Sequence, residues 1–558
     1  MQRILNAVRS GRAPALVAAS WAAAIVLVLS TGPGFAIEGP AFDGKAHHGP
    51  GAHALTNVRI VQAPGRVVDN GTLVMRDGVI VAVGADVEAP SDAKVWDLEG
   101  ATLYPGLIES FATFEVPEPE AGDEPAAGLH PNPLVRPERQ AAAHANNDGL
   151  AKKLRSAGFT AAVLVPKQGM FRGQSVAVAT GDGGVGPNLL RDRVAQNVRF
   201  RTLGFGAGYP TSIMGAMALL RQVTSDARWH AAAHAAHEAD PSQSRPVFNA
   251  SLAALGPATR REQRVVFEAR DVDRVLQIAD LASELEFDAL VVGNGDEYQR
   301  LDEVAATGLT FLLPVKFPGA PNVPEDDDLS VGLGTLRHWK QAPENPLRLQ
   351  EAGVSFVFTS HELNDPKKIH EHLATAIERG FDADAALAAL TTGPAELFGL
   401  DETLGTLDAG KAAHVVVTEG DLFAEKTKIR DVWVDGKRFA LKDVQPPSVE
   451  PLGTWEVVIK AGGGFEMPAT VVLTGSIDDL GGSVDSAQGT LPIASAEVSG
   501  DTVYVEVDMA PSGTPGMLTF EMKIDGENTQ GSGTSPMGEF TFTGSRISKP
   551  EADPEVIQ

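Results

Sequence analysis

The sequence predicts an α/β protein: an eight-stranded barrel wrapped by helices, a small β-domain assembled from both flanks of that barrel, and a further antiparallel β-domain at the C-terminus. Three observations carry this. From about Tyr104 to about Leu400, apolar β-rich runs alternate with helical patterns, as in a parallel sheet covered by helices. Short strands with Asp-Gly turns stand on both sides of that region, at Asp77-Gly78 and Asp435-Gly436. Beyond Pro446 the apolar residues alternate with period two between Gly-rich turns. With 558 residues, 43% of them apolar, the chain can bury several cores.

Residues 1–36 read as an export signal. Arg3, Arg9 and Arg12 precede the apolar run APALVAASWAAAIVLVLS, and Gly34-Phe35-Ala36 supplies small residues for cleavage. The run is also long enough for an uncleaved membrane anchor, so a periplasmic or secreted location is expected, with anchoring as the alternative. Residues 37–53 form a small-residue tail containing His47, His48 and His53.

Residues 54–103 are expected to supply the first part of the flanking β-sandwich. Val79, Val81 and Val83 share one parity there, which would turn them toward a core. The barrel is assigned to residues 104–403. Its strands include Phe159–Pro166, Arg264–Ala269, Asp288–Gly295, Leu309–Val315 and Val354–Ser360, with helices such as DVDRVLQIADLASELE between them. Near-continuous apolar strands imply burial on both faces, and about 300 residues suits a TIM-like (β/α)8 barrel with insertions. Residues 404–445 return to short strands and complete the sandwich, and 446–451 form a linker. In residues 452–548, Val503, Val505 and Val507 point one way, as do Leu518, Phe520, Met522 and Ile524, predicting a small barrel or sandwich. Residues 549–558 are a tail.

Composition excludes several chemistries. Without cysteine there is no disulfide, thiolate metal site, cysteine nucleophile or lipid-modified cysteine. A formal charge of -27 argues against nucleic acid or an anionic membrane surface as a partner, since phosphate attraction requires a basic face.

The split β-domain, the junction LYPGLIES, the helix AALAALTTGPAELFGL and the run LGTLDAGKAAHVVVTEGDLF together resemble the amidohydrolase superfamily, nearest its imidazolonepropionase-like branch. The runs GYPTSIMGAMALLRQ and FTAAVLVPKQGMFRGQSV are similar to an exported, metal-motif-poor sub-group. The resemblance covers about Ala54 to Leu441. It implies a hydrolase of carbon-nitrogen bonds in cyclic or linear amides, using one or two divalent metals at the C-terminal mouth of the barrel. In that family the Pro-Gly junction leads into a His-x-His pair, whose two rings leave one side of a strand and share an ion. Here Phe111 and Thr113 hold those positions. A phenyl ring has no lone pair to donate, and a neutral hydroxyl is a poor transition-metal ligand.

The family histidines of the fifth and sixth strands would fall near Phe267-Glu268-Ala269 and Gly293-Asn294-Gly295, and neither stretch contains one. Ser360 stands where the family aspartate follows the eighth strand, and no equivalent of the fourth-strand lysine or glutamate is evident. The expected cofactor is therefore none, with a divalent metal such as zinc only if the site has been rebuilt.

His361 and Glu268, near strand ends at the mouth, are the remaining candidates for acid-base work; the plainer alternative is a loop cap and an ion pair with an arginine. Glu109 and Glu115 share the parity of Phe111, which suits an oxygen-rich site for a hard cation such as magnesium. His230, His234 and His237 stand at i, i+4 and i+7, which suits a zinc or nickel site or simply a solvated helix face. His370 and His372 diverge on a helix. Two acidic loops, EVPEPEAGDEPAAGLHPNP and PEDDDLS, follow the first and seventh strands, which would favour a small neutral or cationic amide-like ligand. The expected function is a degenerate, ligand- or partner-binding relative of these hydrolases, an active paralogue being one such partner. The alternatives are an active metal-dependent amidohydrolase with unconventional ligands and carbohydrate or surface binding by the C-terminal domain.

Overall fold

The computed structural model describes residues 51–116, 127–145, 148–203, 208–321, 331–424, 427–441, 448–461, 465–476, 479–486, 489–509, 517–535 and 538–549. The export signal, His47, His48, the loop PEDDDLS and most of the first acidic loop lie outside them. Among the described residues no helix is long and apolar enough to cross a membrane.

Strands β1 (Ala52–Ala63), β2 (Arg66–Arg76), β3 (Val79–Gly84), β4 (Lys94–Asp97) and β5 (Thr102–Pro105) open the chain. The barrel strands follow: β6 (Leu107–Phe114), β7 (Phe159–Pro166), β8 (Phe171–Gln174), β9 (Val176–Ala179), β10 (Leu189–Arg191), β11 (Ala195–Arg199), β12 (Arg264–Glu268), β13 (Ala289–Val292), β14 (Thr310–Pro314) and β15 (Phe356–Thr359). Then β16 (Val415–Thr418), β17 (Ile429–Val434) and β18 (Lys437–Ala440) rejoin the first strands in one eight-stranded sheet, in the order β18-β17-β16-β5-β1-β2-β3 with β4 beside β1. The flanks are thus welded by the β16–β5 ladder. The first strand starts at Ala52, so His53 belongs to the sheet, where its Nδ1 accepts from the Trp96 indole at 3.2 Å.

The parity expected for β3 is reversed. Ile80 is the buried residue, while Val79 and Val81 are exposed. A register irregularity in the β2–β3 ladder, between Val74 and Met75, accompanies this, and one valine run looks the same from either face.

β6, β7 and β11 to β15 form the wall of the TIM-like barrel, paired in parallel from β11 to β15. Its third wall element is reversed. β8 and β9, broken at Ser175, run antiparallel to β11 on one side and β7 on the other. β15 then comes to lie beside β6, although no backbone ladder joins them among the described residues. Ile108, Phe111, Val163, Val266, Val292, Leu312 and Val357 fill the interior. Outside, helices pack on the wall; in the helix Val272–Glu284, Val275, Ile278 and Leu281 face Phe267 and Val291. That helix begins where the Asp271 carboxylate accepts from the Arg274 amide at 2.7 Å. The Pro-Gly junction is steric, because a Cβ on Gly106 would stand 2.0 Å from Thr160 Oγ1.

The C-terminal domain is a closed antiparallel barrel of β19 (Gly453–Ala461), β20 (Phe465–Ser476), β21 (Asp479–Ser486), β22 (Gly489–Ser499), β23 (Thr502–Asp508), β24 (Met517–Asp525), β25 (Asn528–Ser535) and β26 (Gly538–Ser548), with β26 paired back to β19. Val503, Val505, Val507, Phe520, Met522 and Ile524 are buried inside it, with Trp455 and Phe542. The period-two reading of these strands matches that placement.

Candidate functional site

The mouth of the barrel brings together residues from β6, β11, β12 and β15 and from the N-terminal end of the reversed β8. Glu109, on β6, is completely buried. Its Oε1 accepts from the Phe111 amide at 2.9 Å and from the Thr359 hydroxyl; its Oε2 accepts from the Ser360 amide at 2.8 Å and the Ser360 hydroxyl at 2.5 Å. Four donors therefore hold the carboxylate, three of them from the far end of the barrel sequence. This side chain stitches β6 to β15 where the ladder is missing.

Phe111 is 2% exposed and packs edge-on against His361, ring centroids 5.0 Å apart. On the same phenyl ring lies Arg172, from the reversed strand β8, its guanidinium carbon 5.6 Å from the ring centroid. The Arg172 side chain is 1% exposed; it donates to Glu268 Oε2 at 2.7 Å and to the Pro166 carbonyl at 2.5 Å. Arg199, at the end of β11, approaches the other oxygen of Glu268 at 3.2 Å. Two guanidiniums thus share one carboxylate. Burial pulls the Arg172 guanidinium below its ordinary range, opposed chiefly by Glu268.

His361 is also shifted down by burial, against the pull of Glu268, Glu362 and Glu109, so the neutral imidazole is favoured. His370, hydrogen-bonded to the Ala157 carbonyl, and the partly buried His130 and His372 are lowered by burial too. A histidine whose folded pKa lies below its unfolded value of 6.5 costs stability as pH falls through 6.5, because the unfolded chain then takes up the proton first. The denaturant midpoint is accordingly expected to fall between about pH 7 and about pH 5, with His370→Gln flattening the slope. A midpoint that stays level or rises over that interval would contradict the assignment.

At the end of β13 the space for a histidine is already filled. A Cβ on Gly293 would stand 2.1 Å from Glu297 Oε1, which accepts from the Asn294 amide at 2.8 Å. The second Glu297 oxygen takes the Asn345 amide at 2.7 Å, and burial raises its pKa. Glu115 is on the rim, paired with Lys167 at 2.6 Å, and does not join Glu109. On the helix Ile213–Ala239, the His230 and His234 rings lie 4.3 Å apart with their planes tilted by 48°, while His237 bonds the Gln243 carbonyl. His230 Nε2 already accepts from the Asn249 amide. Among the described residues no group of three or more histidines or carboxylates is placed to hold a metal ion.

The structure therefore gathers Phe111, Ser360, His361 and Glu268 at one mouth, with Thr113 half-buried further along β6. Sequence reasoning missed Arg172 and Arg199. Their signal was an arginine inside an apolar run, FRGQSV, and a charged residue closing the strand AQNVR.

Among known proteins, the amidohydrolase family matches residues 344–439. The amidohydrolase tasK of Hapsidospora irregularis is 24% identical over 187 residues, 33% of this chain and 18% of that one. An adenine deaminase of Methanopyrus kandleri is 33% identical over 157 residues, 27% of this chain and 24% of that one. The matches thus span less than a quarter of the length of either curated relative. A solved amidohydrolase from Thermotoga maritima has the same fold, with a TM-score of 0.57 and 19% identity over 69% of this chain and 99% of its own.

Proposed function

We propose, from the premise that the chain is a member of the amidohydrolase superfamily, that it is an exported binding protein in which the ancestral metal centre has been replaced by fixed side-chain charges. The observation that carries this is the saturation of Glu109. A carboxylate at the ligand-bearing strand that already accepts four hydrogen bonds has no lone pair directed at an ion. Phe111 fills the neighbouring ligand position with an apolar ring, and an unpaired ion beside it would lose hydration without compensation. The positive charge of the mouth is supplied instead by Arg172 and Arg199 around Glu268. Guanidiniums can orient a polar ligand, but they cannot lower the pKa of a bound water as a metal does.

The imidazolonepropionase-like assignment rests on the sequence motifs, and amide hydrolysis belongs to the ancestry of this fold. Metal analysis tests the reading. Purified protein dialysed without chelator is expected to retain far less than one divalent ion per chain, and to show no gain in amide turnover when zinc is returned. Retention of a full equivalent, with turnover lost on Glu268→Gln or His361→Gln, would establish the rival reading of a metal-dependent hydrolase with unconventional ligands.

A further inference from the structure

Away from the mouth, the helix Ile213–Ala239 carries a histidine pair that holds a neighbouring helix in place. His230 is 5% exposed, and its ring lies 4.3 Å from that of His234, one turn later. Phe248, from the segment that leads into the helix Ala250–Thr259, packs edge-on against both rings, with centroids 5.8 Å and 6.1 Å away. The next residue is anchored by the pair itself. The Asn249 amide donates to His230 Nε2 at 3.1 Å, while the Asn249 side-chain oxygen accepts from the Leu252 amide at 3.0 Å and starts the helix. An imidazole nitrogen accepts such a bond only while it is unprotonated. A proton on Nε2 sets one N–H against another, and the anchor is lost. Titratable groups on the same helix face are Asp226, His234 and His237; among the described residues packed against it are His130, whose amide donates to the Ser251 hydroxyl, and the exposed Arg245. A charged neighbour moves the pH at which the ring takes its proton, but it cannot restore the lone pair.

We propose that His230 is a proton-sensitive latch, which holds Phe248, Asn249 and the start of the helix Ala250–Thr259 at neutral pH and releases them on acidification. Phe248, Ala250, Ala253, Ala254 and Pro257 of that unit form one side of a cavity of about 720 Å³ at the N-terminal ends of β11 and β12, at the end of the barrel opposite the mouth. Release therefore loosens a cavity wall. Burial, and then His234, hold the His230 pKa below its ordinary value of 6.5 in the latched form. The released form, with its ring hydrated, takes up the proton first, so release becomes easier as pH falls through 6.5. The inference goes beyond the binding reading of the mouth and does not rest on it.

Amide hydrogen exchange of the full-length protein, normalised for the intrinsic pH dependence of exchange, reads the latch. Between about pH 7 and about pH 5, protection of residues 248–253 is expected to fall about tenfold, and that of Val272–Glu284 by less. His230→Gln, whose side-chain oxygen can accept at either pH, should keep protection of the segment level. His234→Gln leaves the acceptor in place and should keep the fall. Exchange of the ring carbon-bound hydrogen of His230 gives its pKa in the unaltered protein, so the proposal stays testable if the variants fold poorly; a value below 6.5 is expected. Level protection in the parent would overturn the proposal, as would an equal fall in Val272–Glu284 or in His230→Gln. A His234→Gln variant without the fall would place the proton sensor at the other ring and overturn it too, and so would a His230 pKa of 6.5 or higher.

Discussion

Replacing Arg172 by methionine is expected to lower the unfolding free energy of the barrel by about 3–5 kcal/mol, the range found when one partner of a buried ion pair is removed. The side chain is 1% exposed and its partner Glu268 12% exposed, so neither charge can fall back on water. Arg199 remains near the other oxygen, but it is 28% exposed and its Nε is not aligned for a hydrogen bond to the carboxylate. Methionine keeps much of the volume over Phe111, which confines the loss to the charge and its donors. The double substitution Arg172→Met with Glu268→Gln should recover part of the loss, because it removes the stranded carboxylate as well. Denaturant unfolding of the four proteins gives the coupling directly. A single Arg172→Met variant within about 1 kcal/mol of the parent would mean that the pair is not desolvated and would remove the basis for treating it as a substitute for a metal.

The second large effect is expected at Glu109. Substitution by glutamine preserves shape but turns an N–H toward donors: either the Phe111 amide and Thr359 hydroxyl, or the amide and hydroxyl of Ser360. Losing these bonds while leaving buried donors without acceptors is expected to cost about 2–4 kcal/mol. The location of the damage is as informative as its size. Because this carboxylate is the link between β6 and β15, amide hydrogen exchange should accelerate in Phe356–Thr359 well before it does in Arg264–Glu268, whose ladders are intact on both sides. Uniform acceleration across the barrel, or none, would show that the seam is held by packing alone.

In the present arrangement the residue that could serve a metal is engaged in holding the barrel shut. Placing a histidine at Phe111 would therefore not by itself create a metal centre, since the space beside Gly293 is occupied by Glu297 and the Glu109 lone pairs are already taken. Phe111→His is expected to leave metal content unchanged, which the same elemental analysis reads.

Much of the architecture is legible in the chain because it depends on local periodicity. Phe159–Pro166 reads as an unbroken apolar run and is a strand over those residues, buried on both faces. The helix Val272–Glu284 follows from its apolar spacing and its Asp271 cap. The inward faces of the C-terminal strands follow from alternation, as in Val503, Val505 and Val507, while their closure into a barrel is set by the β19–β26 ladder. Legibility fails where the deciding contact is distant in sequence. The Val79–Gly84 strand offers apolar residues to both faces, so its pairing partner, not its composition, sets which face is buried. The direction of β8 and β9 is likewise invisible, since antiparallel and parallel strands of buried valine and alanine have the same local pattern.

The sequence by itself determined that Phe111, Thr113, Ser360 and the stretch Gly293-Asn294-Gly295 offer neither an imidazole nor a carboxylate, identities that no folding can alter. It also determined that His361 and Glu268 would be available near strand ends. Only the tertiary structure decided what surrounds those positions. Glu109 and Ser360 are 251 residues apart and meet through barrel closure; Arg172 and Glu268 are 96 apart and meet because a reversed strand turns the guanidinium inward. Coulomb attraction and hydrogen bonding act over a few ångströms, so their partners are fixed by which strand ends share the mouth, a property of the closed barrel that no single segment of the chain carries.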